Sequence, residues 1–216
     1  MDILIHTLSG AAAATGVAGL FGNSKKERMQ LIGIGAFAGA LPDFDAISLW
    51  SKFDATVGKW LSLSHSGKEI YFGKLWYSHH AFLHSILGAL IVLICYWSIR
   101  ALIRKNSPNL RAFLLPSTTF LLAFCAHLLG DLPTPASVWG GIALWFPSSE
   151  YVGGWGKVWW WNNYDIFLIL LWCTTINFIV FLLFNTQWVK LFSCVLVLSA
   201  FLLITHQVNT RGFDFA

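Results

Sequence analysis

The chain has 216 residues, too few for several domains and enough for one packed bundle. It is 56% hydrophobic and 11% charged, with a mean hydropathy of +0.65. A soluble domain carries about 25% charged residues, so a soluble globular protein is excluded. The net charge of +4 is small, and the basic residues flank apolar runs. They read as membrane topology, not as a nucleic-acid surface.

A bilayer core demands about 20 apolar residues per helix. Six runs qualify: Ile3–Phe21, Met29–Leu49, Ala81–Ile103, Ala112–Leu129, Ile166–Phe184 and Val189–Thr205. The expected fold is all-α, an integral membrane helical bundle of about six transmembrane helices with interfacial loops, forming a single domain over 1–216. The first two runs are rich in Gly and Ala, which lets helix backbones approach closely and places them centrally. The last two carry bulky Leu, Ile, Phe and Val, suited to facing lipid. Cys95, Cys125, Cys173 and Cys194 lie inside apolar runs without a CxxC pair, and read as small buried hydrophobes. No cleavable signal peptide is evident, because Asp2 stands where a basic segment should precede the first run.

Lys and Arg set orientation. Lys25, Lys26, Arg28, Arg100, Arg104, Lys105, Arg111 and Lys190 fall in short turns that share one side when the spans alternate. That side is expected to be cytoplasmic. The two long loops, Trp50–Ser78 and Leu132–Asn163, then lie on the outer side, which in a bacterium is the periplasm. They hold nine of the twelve tryptophans, including the run 159–161. Tryptophan favours the headgroup level, so the run reads as an aromatic belt. The sharper alternative is a lipid- or glycan-binding wall over an active site.

Ionisable groups inside a membrane are costly and face a cavity or a partner. Here they gather at one face: His6 near the start of the first span, Asp43 and Asp45 near the end of the second, His79, His80 and His84 at the start of the third, His127 and Asp131 at the end of the fourth, and Asp165 at the start of the fifth. His127 and Asp131 are four apart, as are His80 and His84, so each pair shares one face if its segment is helical. Pro42 interrupts the second span just before its aspartates, which is tolerated where backbone lines a cavity. Singly, each feature has a plainer reading: a hydrogen-bonded helix end for His6, a turn for Pro42-Asp43-Phe44-Asp45, a structural His–carboxylate pair for His127 and Asp131. Their coincidence favours a metal site. Nitrogen and carboxylate donors suit Zn²⁺ first, and also admit Mn²⁺ or Fe²⁺. Thr134, just past Asp131, turns the chain and is placed to hydrogen-bond a ligand or the substrate. His65 sits in a polar loop and reads as solvated, and His206 has no cluster around it.

At these residues the sequence resembles the YdjM-like family of predicted inner-membrane metal-dependent hydrolases. The resemblance rests on the early His6 followed by small residues, Leu41-Pro42-Asp43-Phe44-Asp45, His79 to Ser85, His127-x-x-x-Asp131-x-x-Thr134 and Trp145-Phe146-Pro147-Ser148. The third motif of that family usually reads His-Arg-x-x-Thr-His-Ser. Here the Arg position is His80 and the Thr position Leu83, so His80 would meet an anionic substrate group in place of Arg only when protonated. The ligand pattern is also similar to zinc-dependent phospholipase C and related nucleases. That similarity implies one metal on Asp45 (or Asp43), His79 (or His84), His127 and Asp131, with His6 and Asp131 sharing a second.

Together these readings give an expected membrane-bound, phospholipase-like hydrolase. It would use a divalent metal, zinc first, to cleave a phosphoester or other ester in a lipid or lipid-linked substrate at the periplasmic face. Asp43 or Asp165, left off the metal, would act as general base. The rival readings are a metal-ion or proton transporter, and a non-catalytic membrane protein with a structural metal site.

Overall fold

The computed structural model describes residues 2–103, 109–159 and 162–211. All regular elements among them are helical, apart from two isolated β-bridges, Pro135 with Trp155 and Ile142 with Val152. Arg104, Lys105, Trp160 and Trp161, counted above in the topology and the aromatic belt, lie outside the described residues.

Several of the helices start at a side-chain cap provided by the sequence. The Asp2 carboxylate accepts from the amides of Leu4 and Ile5, both at 3.0 Å, and opens α1 (Ile3–Phe21). Ser24 opens α2 (Lys25–Ala40) by accepting from the Glu27 amide. The short α3 (Gly67–Phe72) begins with a reciprocal Ser66–Glu69 capping box. Then come α4 (Ile86–Ile103), α5 (Leu110–Asp131) capped by Asn109, α6 (Tyr164–Leu183) and α7 (Trp188–Thr210). Five of these are long and apolar enough to cross a membrane. The pair of α2 and the 3₁₀ helix Pro42–Leu49 passes the same test of length and composition together, bent by 48° at the break, and makes a sixth span where the pair is taken as one. The fold is therefore a membrane helical bundle, and the bend sits where Pro42 predicts it.

One expectation about the spans is corrected. The third does not begin at Ala81. Residues 82–84 form one 3₁₀ turn, and α4 begins only at Ile86. The helix α7 buries few of its residues, as its bulky apolar composition suggests, and α4 buries little beyond Gly88 and Ala89. Cys95 and Cys125 also face outward toward lipid, whereas Cys173 is buried.

The central helix is α1, which packs against α2, α5, α6 and α7. Its seam with α2 is made by glycine. A β-carbon added to Gly10 would stand 2.2 Å from the Gly35 carbonyl oxygen, and one added to Gly39 would stand 2.3 Å from the His6 carbonyl oxygen. Only glycine permits such an approach, and it brings the first turn of α1 against the end of α2. Deeper in the bundle Asn177 donates to the Thr15 hydroxyl at 2.9 Å, tying α6 to α1. At the end with the short turns, Arg111 bridges to Glu27 at 2.6 Å, and the buried Arg28 donates to the Gly22 carbonyl. The long loops gather at the opposite end.

Candidate metal centre

Five segments meet at the loop end of the bundle. His6 projects from α1, Asp43 and Asp45 from the 3₁₀ helix after Pro42, and His127 and Asp131 from the last turns of α5. His79 and His80 come from the loop before α4, and His84 ends its 3₁₀ turn. His6, His84, His127 and Asp131 are almost wholly buried. The Asp43 side chain is 12% exposed and lies on the accessible side.

Four donor atoms converge. His127 Nε2 lies 3.1 Å from Asp131 Oδ2 and 3.8 Å from Asp43 Oδ1. His84 Nε2 lies 3.5 Å from Asp43 Oδ1 and 3.7 Å from Asp131 Oδ2. Zinc bonds to N and O of about 2.0–2.1 Å, arranged as a tetrahedron, put neighbouring donors about 3.3 Å apart. The observed spacing is close to that before any cation draws the donors in. His6, whose ring stacks on His127 with centroids 3.8 Å apart, places Nε2 3.0 Å from Asp131 Oδ1 and forms an adjoining three-donor group with these two residues. His79, His80 and His84 form a further group.

The buried nitrogens support the same fit. Neither ring nitrogen of His6 or of His84 makes a hydrogen bond, and His127 Nε2 makes none. Four of these five nitrogens face carboxylate oxygens at 3.0–3.5 Å, and the Nε2 atoms of His6, His84 and His127 are the ones turned toward Asp43 and Asp131, where a cation would find its ligands. The opposite ring nitrogens are already fixed. His127 Nδ1 donates to the Gly39 carbonyl at 2.6 Å, and His80 Nδ1 to the Gly141 carbonyl at 2.9 Å. A carbonyl only accepts, so these bonds leave Nε2 as the bare donor, the usual arrangement around a metal-binding histidine. His79 Nδ1 is held by Asp45 Oδ1 at 2.6 Å.

A model of the YdjM inner membrane proteins matches residues 1–212. The chain belongs to this family. No curated protein and no solved structure matches it. The family motifs quoted above can thus be placed in space. Leu41 to Asp45 turns the end of α2 into the centre, and His127-x-x-x-Asp131 is the last turn of α5. The run Trp145-Phe146-Pro147-Ser148 belongs to a segment that clamps the histidine loop. Ala143 N donates to His80 O at 2.8 Å, Ile86 N donates to Leu144 O, and Phe146 packs on Phe82.

Several expected placements change. His80 and His84 are not one helical turn apart, because His80 adopts φ +66° in the loop. This left-handed conformation strains a non-glycine residue. Burial, and then the neighbouring His84, push the His80 ring down to about 3, which disfavours the protonated form that the Arg position of the motif calls for. Asp165 does not join the centre. Its carboxylate is held by Arg211 at 2.6 Å. Thr134 donates to the main-chain carbonyl of Asp131 and so braces the helix end.

Two residues of the centre carry no signal in the sequence. Tyr71, on α3, stacks on His79 with ring centroids 4.5 Å apart. Trp139 lies 4.6 Å from His80 and donates its indole N–H to the Tyr71 carbonyl. Burial, and then the carboxylates of Asp43, Asp45 and Asp131, push the Tyr71 phenol up to about 12, keeping it protonated. The richness of the loops in tryptophan is legible, but which tryptophan covers the histidines depends on their folding.

Proposed function

We propose that this protein is a membrane-bound metal-dependent hydrolase that cleaves a phosphoester or other ester of a lipid or lipid-linked substrate at the periplasmic face of the inner membrane. What supports the reading is the two three-donor groups that share His127, namely Asp43 with His84 and His127, and His6 with His127 and Asp131, whose buried Nε2 atoms face these carboxylates at 3.0–3.5 Å. In this reading Asp43 is a ligand and not the base, since it faces two bare imidazole nitrogens. Asp45 lies beyond them, with Oδ2 3.3 Å from His84 Nδ1 and Oδ1 on His79 Nδ1, and orients both rings. His6 and Asp131 provide for a second ion.

A bound divalent cation, zinc first, supplies Lewis acidity to a scissile ester and brings the pKa of water to about 7. The chain's own residues do the rest. His79, its Nδ1–H donating to Asp45, presents Nε2 as proton acceptor, and the carboxylate stabilises the imidazolium that forms. Tyr71 and Trp139 wall the site against bulk water and hold the ring planes of His79 and His80.

The transport reading is less favoured, because the donors sit at helix ends. His6 is in the first turn of α1 and Asp131 is the last residue of α5. A purely structural clip is less favoured because Asp43 remains partly accessible.

The decisive test is elemental mass spectrometry of the protein purified in detergent, for wild type and for His127→Ala with Asp131→Ala, followed by lipid phosphoester substrates. Near-stoichiometric zinc or manganese that vanishes in the double variant, with turnover in the wild type, supports the reading. Metal-free wild type that stays metal-free after reloading sinks it, and the histidines then belong to proton transfer.

A further inference from the structure

We infer that the hydrocarbon chain of the substrate lipid lies in a cleft between α1, α5, α6 and α7 that runs from the metal centre to mid-membrane, so that substrate reaches the centre sideways from the bilayer. This rests on the hydrolase reading above and extends it to how the substrate is chosen.

The cleft has a volume of about 370 Å³, within the range of about 300–1,000 Å³ for ligand sites. The helices α5, α6 and α7 all pack on α1, and the cleft opens between α5 and α7 with Ile166, Leu170 and Cys173 of α6 in its wall. Its floor exists because the residues there are small: Ser9 and Ala13 on α1, Ala126 and Gly130 on α5, Ala200 on α7. Its lips are Leu129 and Phe201, each 59% exposed on the outside of the bundle. At that depth the surroundings are hydrocarbon, so an apolar groove is filled by hydrocarbon.

Length and continuity identify which hydrocarbon. Along α7 the lining extends from Val197 to Asn209, about 18 Å at 1.5 Å per residue, and along α1 from Ile5 to Ala13, about 12 Å. One leaflet of a bilayer core is about 15 Å deep, half of about 30 Å. The lined stretches all belong to the loop-end half of their helices, the half that holds the metal centre. His6 belongs to both places. It lines the cleft and forms a donor group with His127 and Asp131. It is 1% exposed, and its Nε2 stands 3.0 Å from Asp131 Oδ1. A lipid lying in this groove therefore brings its headgroup ester to the metal ligands, and a chain-free ester gains nothing from it.

Two measurements test this. The first compares hydrolysis of a long-chain phosphatidic acid with that of p-nitrophenyl phosphate, for wild type and Ala13→Phe. Ala13 lies about 10 Å along α1 from His6, seven residues at 1.5 Å each. The substitution fills the cleft while metal content stays at the wild-type level. The expected result is a KM for phosphatidic acid raised about tenfold or more, with p-nitrophenyl phosphate unaffected. The second uses wild-type protein in phosphatidylglycerol vesicles containing a phosphatidic acid with a diazirine midway along one acyl chain. Adducts concentrated on Ala12, Ala13 and Val197 to Phe201 support the cleft. Adducts spread over the exposed face of α4 instead overturn it, as does an Ala13→Phe protein that discriminates between the two substrates as wild type does. A metal-loaded wild type that hydrolyses neither substrate refutes the hydrolase reading, and the adduct map then decides by itself whether a lipid chain occupies the cleft.

Discussion

Replacing Gly39 by alanine should damage both the bundle and the metal centre. The added β-carbon would stand 2.3 Å from the His6 carbonyl oxygen and 3.0 Å from Gly10 Cα, where ordinary contact begins at 3.4 Å. Both obstacles are backbone, so neither can swing aside, and α1 and α2 must part by about 1 Å. Overpacking of this kind costs about 1–3 kcal/mol, a drop in melting temperature of roughly 3–10 °C at this chain length. A second effect is specific to the site. The Gly39 carbonyl accepts from His127 Nδ1 at 2.6 Å, and a displaced acceptor loosens the ring whose Nε2 faces Asp131 and Asp43. Loss of such an orienting bond weakens metal binding about 10–100-fold. The control is Gly33→Ala in the same helix, where an added β-carbon meets nothing within 4 Å and helix propensity improves by up to about 1 kcal/mol. Thermal unfolding in detergent and a zinc titration read both effects. Gly39→Ala protein with wild-type melting and zinc affinity, or Gly33→Ala protein equally impaired, would refute the seam as the element that positions the centre.

Removing metal with a chelator should lower the melting temperature, and zinc should restore it; at a free concentration of about 100 Kd a ligand adds about 2.7 kcal/mol. An unchanged melting curve would mean that the buried nitrogens are satisfied in some other way. His127→Asn should keep the donation to the Gly39 carbonyl, and with it the fold by circular dichroism, while losing most bound metal. His79→Gln should retain metal and lose turnover by about 10²–10⁴-fold, whereas metal loss in this variant would make His79 a ligand. Asp165→Asn should leave metal content unchanged, because Arg211 and not the cluster holds that carboxylate. The hydrogen bonds from Ser66 hold the Glu69 carboxyl below its usual range. The capping box is therefore intact at neutral pH and is lost as pH falls through the carboxylate range; amide exchange in residues 66–70 should rise on acidification in wild type and be already elevated in Glu69→Ala.

What the sequence reveals and what it hides differ by the range of the contact that decides them. The bend at Pro42 and the His127–Asp131 pair are local: a proline without an N–H, and two residues one helical turn apart, act whatever the rest of the chain does. The state of His79, His80 and His84 is not local. Helical periodicity continues the third span back to Ala81, but Ala143 N docks on His80 O and Gly141 O on the His80 ring, contacts made by a segment some sixty residues downstream. They hold the histidines in a left-handed turn and a single 3₁₀ turn. The roles of Asp43 and Asp45 were hidden for a geometric reason. On a 3₁₀ helix of about three residues per turn, residues two apart point in different directions. The pair therefore clasps His84 from its two nitrogens, Asp43 towards Nε2 and Asp45 towards Nδ1, instead of forming one bidentate set.

The break in α2 has a second use that explains why the centre sits at helix ends. Ending α2 at Ala40 leaves its last carbonyls without amide partners from a following helical turn. Pro42 has no N–H to give, and the next turn is 3₁₀, with Phe44 N donating to Leu41 O. Near a membrane an orphan carbonyl is costly. The Gly39 carbonyl is one of them, and its partner is the His127 ring. One interruption thus turns Asp43 and Asp45 toward the centre and frees the acceptor that fixes the tautomer of the histidine facing them. The bare carbonyl and the bare Nδ1–H each satisfy the other, so the ligand geometry of His127 is set by the same feature that ends the span. Restoring a continuous helix by Pro42→Ala would remove both contributions together, whereas Gly39→Ala displaces only the acceptor; the two variants separate the turn's role from the seam's.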